Sequence, residues 1–235
     1  MPDKHLSSQF DAALNQLSTK LLEMGGLVES QISRVLELLN AFNASTFAQV
    51  LEGEPHLNRL ELELDDEVNK LIARRQPAAR DLRLLMATSK CVTNLERAGD
   101  EARKIAKRLH RIHASGVVSA VNVVELRNSG EMALHILRSA LDAFARMDIV
   151  AAAQIVRDDK AIDNKFRAFV RRLVLYLSNA PWAISNGLEY LAVAKAIERI
   201  GDHAKNIGEF VIYVDKGRDV RHLTLEQLEE EVLRG

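Results

Sequence analysis

The sequence predicts an all-α protein made of two tandem three-helix bundles related by internal duplication. Four prolines and eleven glycines in 235 residues leave long uninterrupted stretches, rich in Leu, Ala, Glu, Arg and Lys, which are good helix formers. Within those stretches apolar residues recur at spacings of three and four. The second half of the chain also repeats the first. Alternating runs rich in Val, Ile and Tyr, which a strand-containing domain would need, are not found.

The first helix carries Leu14, Leu17, Leu21, Met24 and Val28, then Ile32, Val35 and Leu39, with one slip after Val28. A second begins near Ala44, is disturbed at Gly53-Glu54-Pro55, resumes through Leu57, Leu60, Leu64, Val68 and Leu71, and is ended by Pro77 after about Arg75. A third runs from about Ala78 to His113, with Asp81 placed to accept from first-turn amides. At 1.5 Å per residue it spans roughly 50 Å. The small residues 114–120, with Gly116, form the expected linker, giving a first bundle over 1–115 and a second over 116–235 that closes with a short acidic helix near Leu223 to Leu233. Gly25 to Leu57 aligns without a gap on Gly130 to Ile162 at an offset of 105, and Asp81 to Lys107 aligns on Ala183 to Glu209 at 102.

Composition narrows the function. The chain is 47% apolar, 28% charged and 5% aromatic, with a formal net charge of -1, so nothing global draws it to nucleic acid or to an anionic lipid surface. One cysteine, Cys91, cannot close an intrachain disulfide, no charged leader followed by an apolar segment opens the sequence, and a cytoplasmic protein is the expectation. No phosphate loop, serine elbow or Cys/His catalytic signature is present.

The strongest agreement between the halves is Leu95-Glu96-Arg97-Ala98-Gly99-Asp100-Glu101-Ala102 against Ile197-Glu198-Arg199-Ile200-Gly201-Asp202-His203-Ala204. A Glu and an Asp four apart share a helix face and repel, and a mid-helix glycine costs about 1 kcal/mol. Two penalties repeated in register call for a compensating interaction. On a helical wheel Glu198, Asp202, Asn206 and Glu209 form a stripe opposite the apolar one, expected to face outward. Asp159 and Asp163 repeat the four-residue spacing on the preceding helix, and the first half offers Glu54 and Asn58 at the matching places. Oxygen ligands, with no cysteine and no Glu-x-x-His pair, suit Mg²⁺, Mn²⁺ or iron better than a structural zinc site. Against this stands the bland reading, a solvated acidic face in which Lys104 and Lys107 neutralise the first-half carboxylates. Arg97 and Arg199 are as well explained as intrahelical ion-pair partners, and Gly99 and Gly201 as points of close helix approach. His203 is a further candidate ligand, whereas His110 and His113 are read as surface, and the basic residues Arg171 and Arg172 and the string Arg74, Arg75, Arg80 and Arg83 as solvated faces with a minor chance of docking a partner.

These two motifs, together with Arg74-Arg75-Gln76-Pro77-Ala78-Ala79-Arg80-Asp81-Leu82-Arg83, resemble the PhoU family of phosphate-transport-system regulatory proteins over nearly the whole chain. The resemblance implies metal ions (Fe, Mn, Mg or Zn), often in multinuclear clusters, on Glu96, Asp100, Glu198 and Asp202, with Asp159 and Asp163 as the companion acids. Asn58 departs from that pattern. It further implies negative regulation of the phosphate-starvation response by an adaptor without catalysis. Such an adaptor couples the ATPase of a phosphate ABC transporter to a sensor histidine kinase, as a homodimer that meets the membrane only through its partners. The rival readings are a metal-dependent phosphohydrolase and a purely structural helical adaptor that binds no metal.

Overall fold

The computed structural model describes residues 8–116 and 121–233, so the expected linker lies outside the described residues from 117 on. Among the described residues there is no strand. The helices are α1 (Ser8–Asn40), α2 (Ala44–Glu52), α3 (Glu54–Arg75), α4 (Ala79–Ala114), α5 (Val123–Arg146), α6 (Ile149–Asn179), α7 (Ile184–Lys216) and α8 (Leu225–Leu233), with a 3₁₀ turn at Pro181–Ala183. Local chemistry sets several boundaries. Asn43 and Asp148 cap α2 and α6 by accepting from amides of the first turn, and Asn122 does the same for α5. Pro55 in the first turn of α3 gives up an amide that has no helical partner there. α4 starts after Ala78, which places Asp81 in its first turn, where a negative charge suits the helix dipole.

In the first half α1, α3 and α4 pack together, with α2 as a short lid; in the second half α5, α6 and α7 do so. The halves meet along two seams, α1 against α5 and, most extensively, α4 against α7. The α4/α7 seam is antiparallel. Arg83 Nε donates to the Val214 carbonyl at 3.2 Å near one end, Arg199 meets Glu101 at 3.3 Å in the middle, and Arg108 meets Glu189 at 3.0 Å toward the other. The duplicated motifs therefore face each other across an approximate two-fold axis close to Gly99 and Gly201. The α1/α5 seam obeys the same symmetry: the Leu141 side chain lies over Gly25, and Leu36, its partner in the repeat, lies over Gly130. One apolar core runs through both halves.

Candidate metal centre

α6 and α7 bring three carboxylates together. Asp159, Asp163 and Asp202 each place an oxygen within 4.8 Å of the others, the one such group among the described residues. Asp159 and Asp163 are one turn apart on α6, and Asp202 crosses from α7. Gly201 makes this possible, because a Cβ there would lie 2.9 Å from Asp159 Oδ1 and 2.9 Å from Ile162 Cδ1. Glycine here serves close approach, as the sequence indicates.

The compensating cation is one the sequence reading missed. Lys205 Nζ lies 3.2 Å from Asp159 Oδ2 and 3.3 Å from Asp202 Oδ1. The repeat copies the arrangement: Arg103 lies 2.8 Å from Glu54 and 2.9 Å from Asp100, and Arg103 and Glu54 are the counterparts of Lys205 and Asp159. The signal was an Asp followed three residues later by a basic residue in both halves, a pair that shares a helix face. Arg97 and Arg199 do not fill this role, since Arg199 pairs across the seam with buried Glu101, which also meets Lys104 at 2.9 Å.

Burial dominates the electrostatics. It pushes the Asp159 carboxyl up to about 6, with Asp202 and Asp163 adding to the rise and Lys205 opposing it. Burial pulls the Lys205 ammonium down, but Asp159 and Asp202 outweigh it and hold the group above its ordinary value. Asp159 Oδ1 is buried without a hydrogen-bond partner. An orphaned anionic oxygen, two further carboxylates within reach and a donor set of oxygens alone fit a hard cation. Asp159, Asp163 and Asp202 would hold it, with the Lys205 ammonium as the competitor it must displace.

The remaining candidates are distributed differently. Glu198 is held 2.6 Å from Lys195, whose ammonium also lies over the Phe166 ring. In the first half Glu96 and Asp100 face Glu61 of α3, which the sequence reading did not single out. Burial raises Glu96, and Asp100 and Glu61 raise it further. Asn58 is exposed and Glu54 is committed to Arg103. His203 and Asn206 belong to the seam: both hydrogen-bond Asn94 Oδ1, at 3.1 and 3.0 Å. Burial lowers the His203 pKa. The supposed outward stripe on α7 is thus largely covered, because α4 and α6 flank it. A cleft of about 510 Å³ runs along the seam between Arg97, Asp100 and Lys104 on α4 and Arg199, Asp202 and His203 on α7.

Glu209 illustrates the cost of that cover. It is 5% exposed, and burial lifts its carboxyl from 4.5 to about 7 against the pull of Lys205 and Arg221. An acid whose folded value is raised keeps its proton in the native state while the unfolded chain loses it. This group therefore lowers stability as pH climbs through that window, by up to about 3 kcal/mol in full above it. Glu209→Gln should be nearly neutral at pH 4.5 and stabilising at pH 8, as read by urea unfolding of both proteins at each pH. Equal effects at the two values would contradict the assignment.

The model of the PhoU domain matches residues 21–109 and again 126–211, once in each half. The chain belongs to the PhoU family. Among PhoU relatives, a Burkholderia protein described as a phosphate-specific transport system accessory protein PhoU homolog is 50% identical over 99% of this chain and 100% of its own length. The PhoU accessory protein of Escherichia coli K12 is 38% identical over 97% of this chain and 94% of its own. The crystal structure of PhoU from Pseudomonas aeruginosa superimposes with a TM-score of 0.86 at 41% identity, covering 89% of this chain and 100% of that one. The duplicated three-helix plan is the PhoU fold.

Proposed function

We propose that the chain is a metal-binding regulatory adaptor of a phosphate-specific transport system, without catalytic activity of its own. The observation that supports this most directly is the match along almost the full chain to proteins named as accessory to that system. In this reading it acts in the cytoplasm as a homodimer, couples the ATPase of the phosphate importer to a sensor histidine kinase, and restrains the starvation response when phosphate is plentiful. A metal, when bound, supplies positive charge that links the carboxylates to a partner's anionic groups. The chain's own residues do the rest: Asp159, Asp163 and Asp202 present converging oxygens, Gly201 leaves room for Asp159, and Lys205 holds two of the carboxylates in place beforehand.

Two measurements test it. Pull-down from phosphate-replete cells should recover the importer ATPase and the histidine kinase; recovery of neither would sink the adaptor reading. Metal titration of the purified protein should show Mn²⁺ or Fe²⁺ bound at least about ten-fold more weakly by Asp159→Ala/Asp202→Ala than by wild type, since mutation of even the groups behind metal ligands costs about 10–100-fold in affinity. The phosphohydrolase alternative is weaker because the one histidine near the motif, His203, is turned to Asn94. Turnover of a generic phosphomonoester would revive it.

A further inference from the structure

Five large apolar side chains on α6, the 3₁₀ turn and α7 are left in solvent at one end of the molecule, where α4 and α6 finish and α5 and α7 begin, and Val124 in the first turn of α5 is a sixth at that end. Trp182, on the 3₁₀ turn, is 75% exposed; Val174 and Leu175 on the last turns of α6 and Ile184 and Leu188 on the first turns of α7 are exposed as well. Contacts tie this end together. Asn186 Nδ2 donates to Ser115 Oγ at 2.9 Å, Arg108 meets Glu189 at 3.0 Å, and Arg172 pairs with Glu125.

The charge around these side chains is one-sided. Residues 104–113, 121–128 and 164–192 together carry nine Lys and Arg against two Glu, in a chain whose formal net charge is -1; Arg108 and Arg111 pair with Glu189 and Arg172 with Glu125, which leaves the end with an excess of cations. The internal repeat supplies a control. Where α4 has Lys104, Lys107, Arg108 and Arg111, the matching positions of α7 are Asn206, Glu209, Phe210 and Tyr213. This stretch of helix is therefore built without the basic residues in the second copy, although the opposite end of the molecule carries Arg74, Arg75, Arg80 and Arg83 of its own. Leu82 and Met86 are the counterparts of Ile184 and Leu188 at the opposite end and are less exposed, at 37% and 42%.

We propose that this end docks on an anionic lipid surface, with Trp182 and its aliphatic neighbours entering the headgroup region and the surrounding Lys and Arg meeting lipid phosphates. Tryptophan favours that region because one edge of its ring is apolar and the other donates a hydrogen bond. Basic side chains on the flanks add attraction that falls off within a Debye length, and their long stems let the apolar tips sink while the charges stay hydrated. Charge complementarity selects this occupant over a second copy, since a two-fold contact through this surface would press the basic end against itself. The cavity at this end, about 220 Å³ and lined by Val121, Phe169, Leu173 and Tyr176 among others, includes none of the five side chains and is too small to seat a partner's helix. Contact would be peripheral: among the described residues no helix is long and apolar enough to cross a membrane.

The chain's one tryptophan makes the test direct. The full-length protein is mixed at low salt with vesicles of phosphatidylcholine alone or with phosphatidylglycerol added. Co-sedimentation with the anionic vesicles, a blue shift of Trp182 emission and release on raising the salt are expected. Trp182→Ala should weaken partitioning about ten-fold, judged by the apolar area lost. Lys107→Gln and Arg171→Gln should each weaken it about five-fold. All three positions are exposed, so circular dichroism and the unfolding midpoint should match wild type. Absence of binding to anionic vesicles, equal binding to neutral ones, or binding with unmoved Trp182 emission would overturn the proposal. So would a blue shift that grows with protein concentration without lipid, which would assign the surface to self-association.

Discussion

Lys205→Met is expected to destabilise the metal-free protein by about 3 kcal/mol and to make its stability depend on a divalent cation. The ammonium stands 3.2 Å from Asp159 and 3.3 Å from Asp202, and the Asp159 side chain is only 3% exposed. Methionine fills a similar volume but leaves three carboxylates facing one another within 4.8 Å. Removing one partner of a buried pair exposes the full desolvation cost of the other. A cation that binds only the native state restores stability by mass action, by about 2.7 kcal/mol at one hundred times its dissociation constant. Urea unfolding with chelator and with Mn²⁺ should therefore give two well-separated midpoints for the variant and a smaller separation for wild type, where the metal must first displace the lysine. If the chelated variant were as stable as wild type, the ammonium would not be the neutralising group. If Mn²⁺ failed to restore it, the metal reading would fall. Arg103→Met in the first half should cost less, about 1 kcal/mol or below, because Glu54 and Asp100 are each nearly a third exposed and solvent screens them.

The second large effect lies in the α1/α5 seam. In an open helix Gly25→Ala would stabilise by about 1 kcal/mol. Here the new Cβ would lie 2.6 and 2.9 Å from the two terminal carbons of Leu141, a side chain 5% exposed with little freedom to retreat. The net result should be a loss of about 1–3 kcal/mol. Leu141→Ala alone should cost about 2–5 kcal/mol through the cavity it leaves. In that background Gly25→Ala should change sign and become favourable, since the new methyl enters the vacated space. A double-mutant cycle on denaturant midpoints reads this directly, and strict additivity would show that the two residues do not touch in solution.

Much of the architecture was legible because its causes are local. Scarce proline, good helix formers and apolar spacing fix the helices, and Gly53-Glu54-Pro55 marks the break between α2 and α3. The repeat named the pairs, Gly25 with Gly130 and Leu36 with Leu141, that turned out to interlock. Members of the acidic clusters stood out where the two copies agree, as at Asp100 and Asp202. Glu61 was hidden because its counterpart is Phe166, so the register that exposed the other acids pointed away from it. The wheel for α7 misled for another reason. A single apolar stripe suggests a helix with one covered side, yet α4, α5 and α6 surround this one, and its polar residues are covered through specific partners such as Asn94. Which side chain of the other half waits opposite is a long-range fact, and no spacing along one helix contains it.

The polarity of the α4 seam has a consequence for synthesis. Ribosomes finish α1 to α4 well before the α7 segment leaves the exit tunnel, so the first half must persist for some time with its future contact surface open to water. Glu101 and Asn94 give that surface polar groups that water can satisfy while it waits. Once α7 arrives, a slipped alignment would take Arg199 from Glu101 and both His203 and Asn206 from Asn94, so the same groups favour the native register as well.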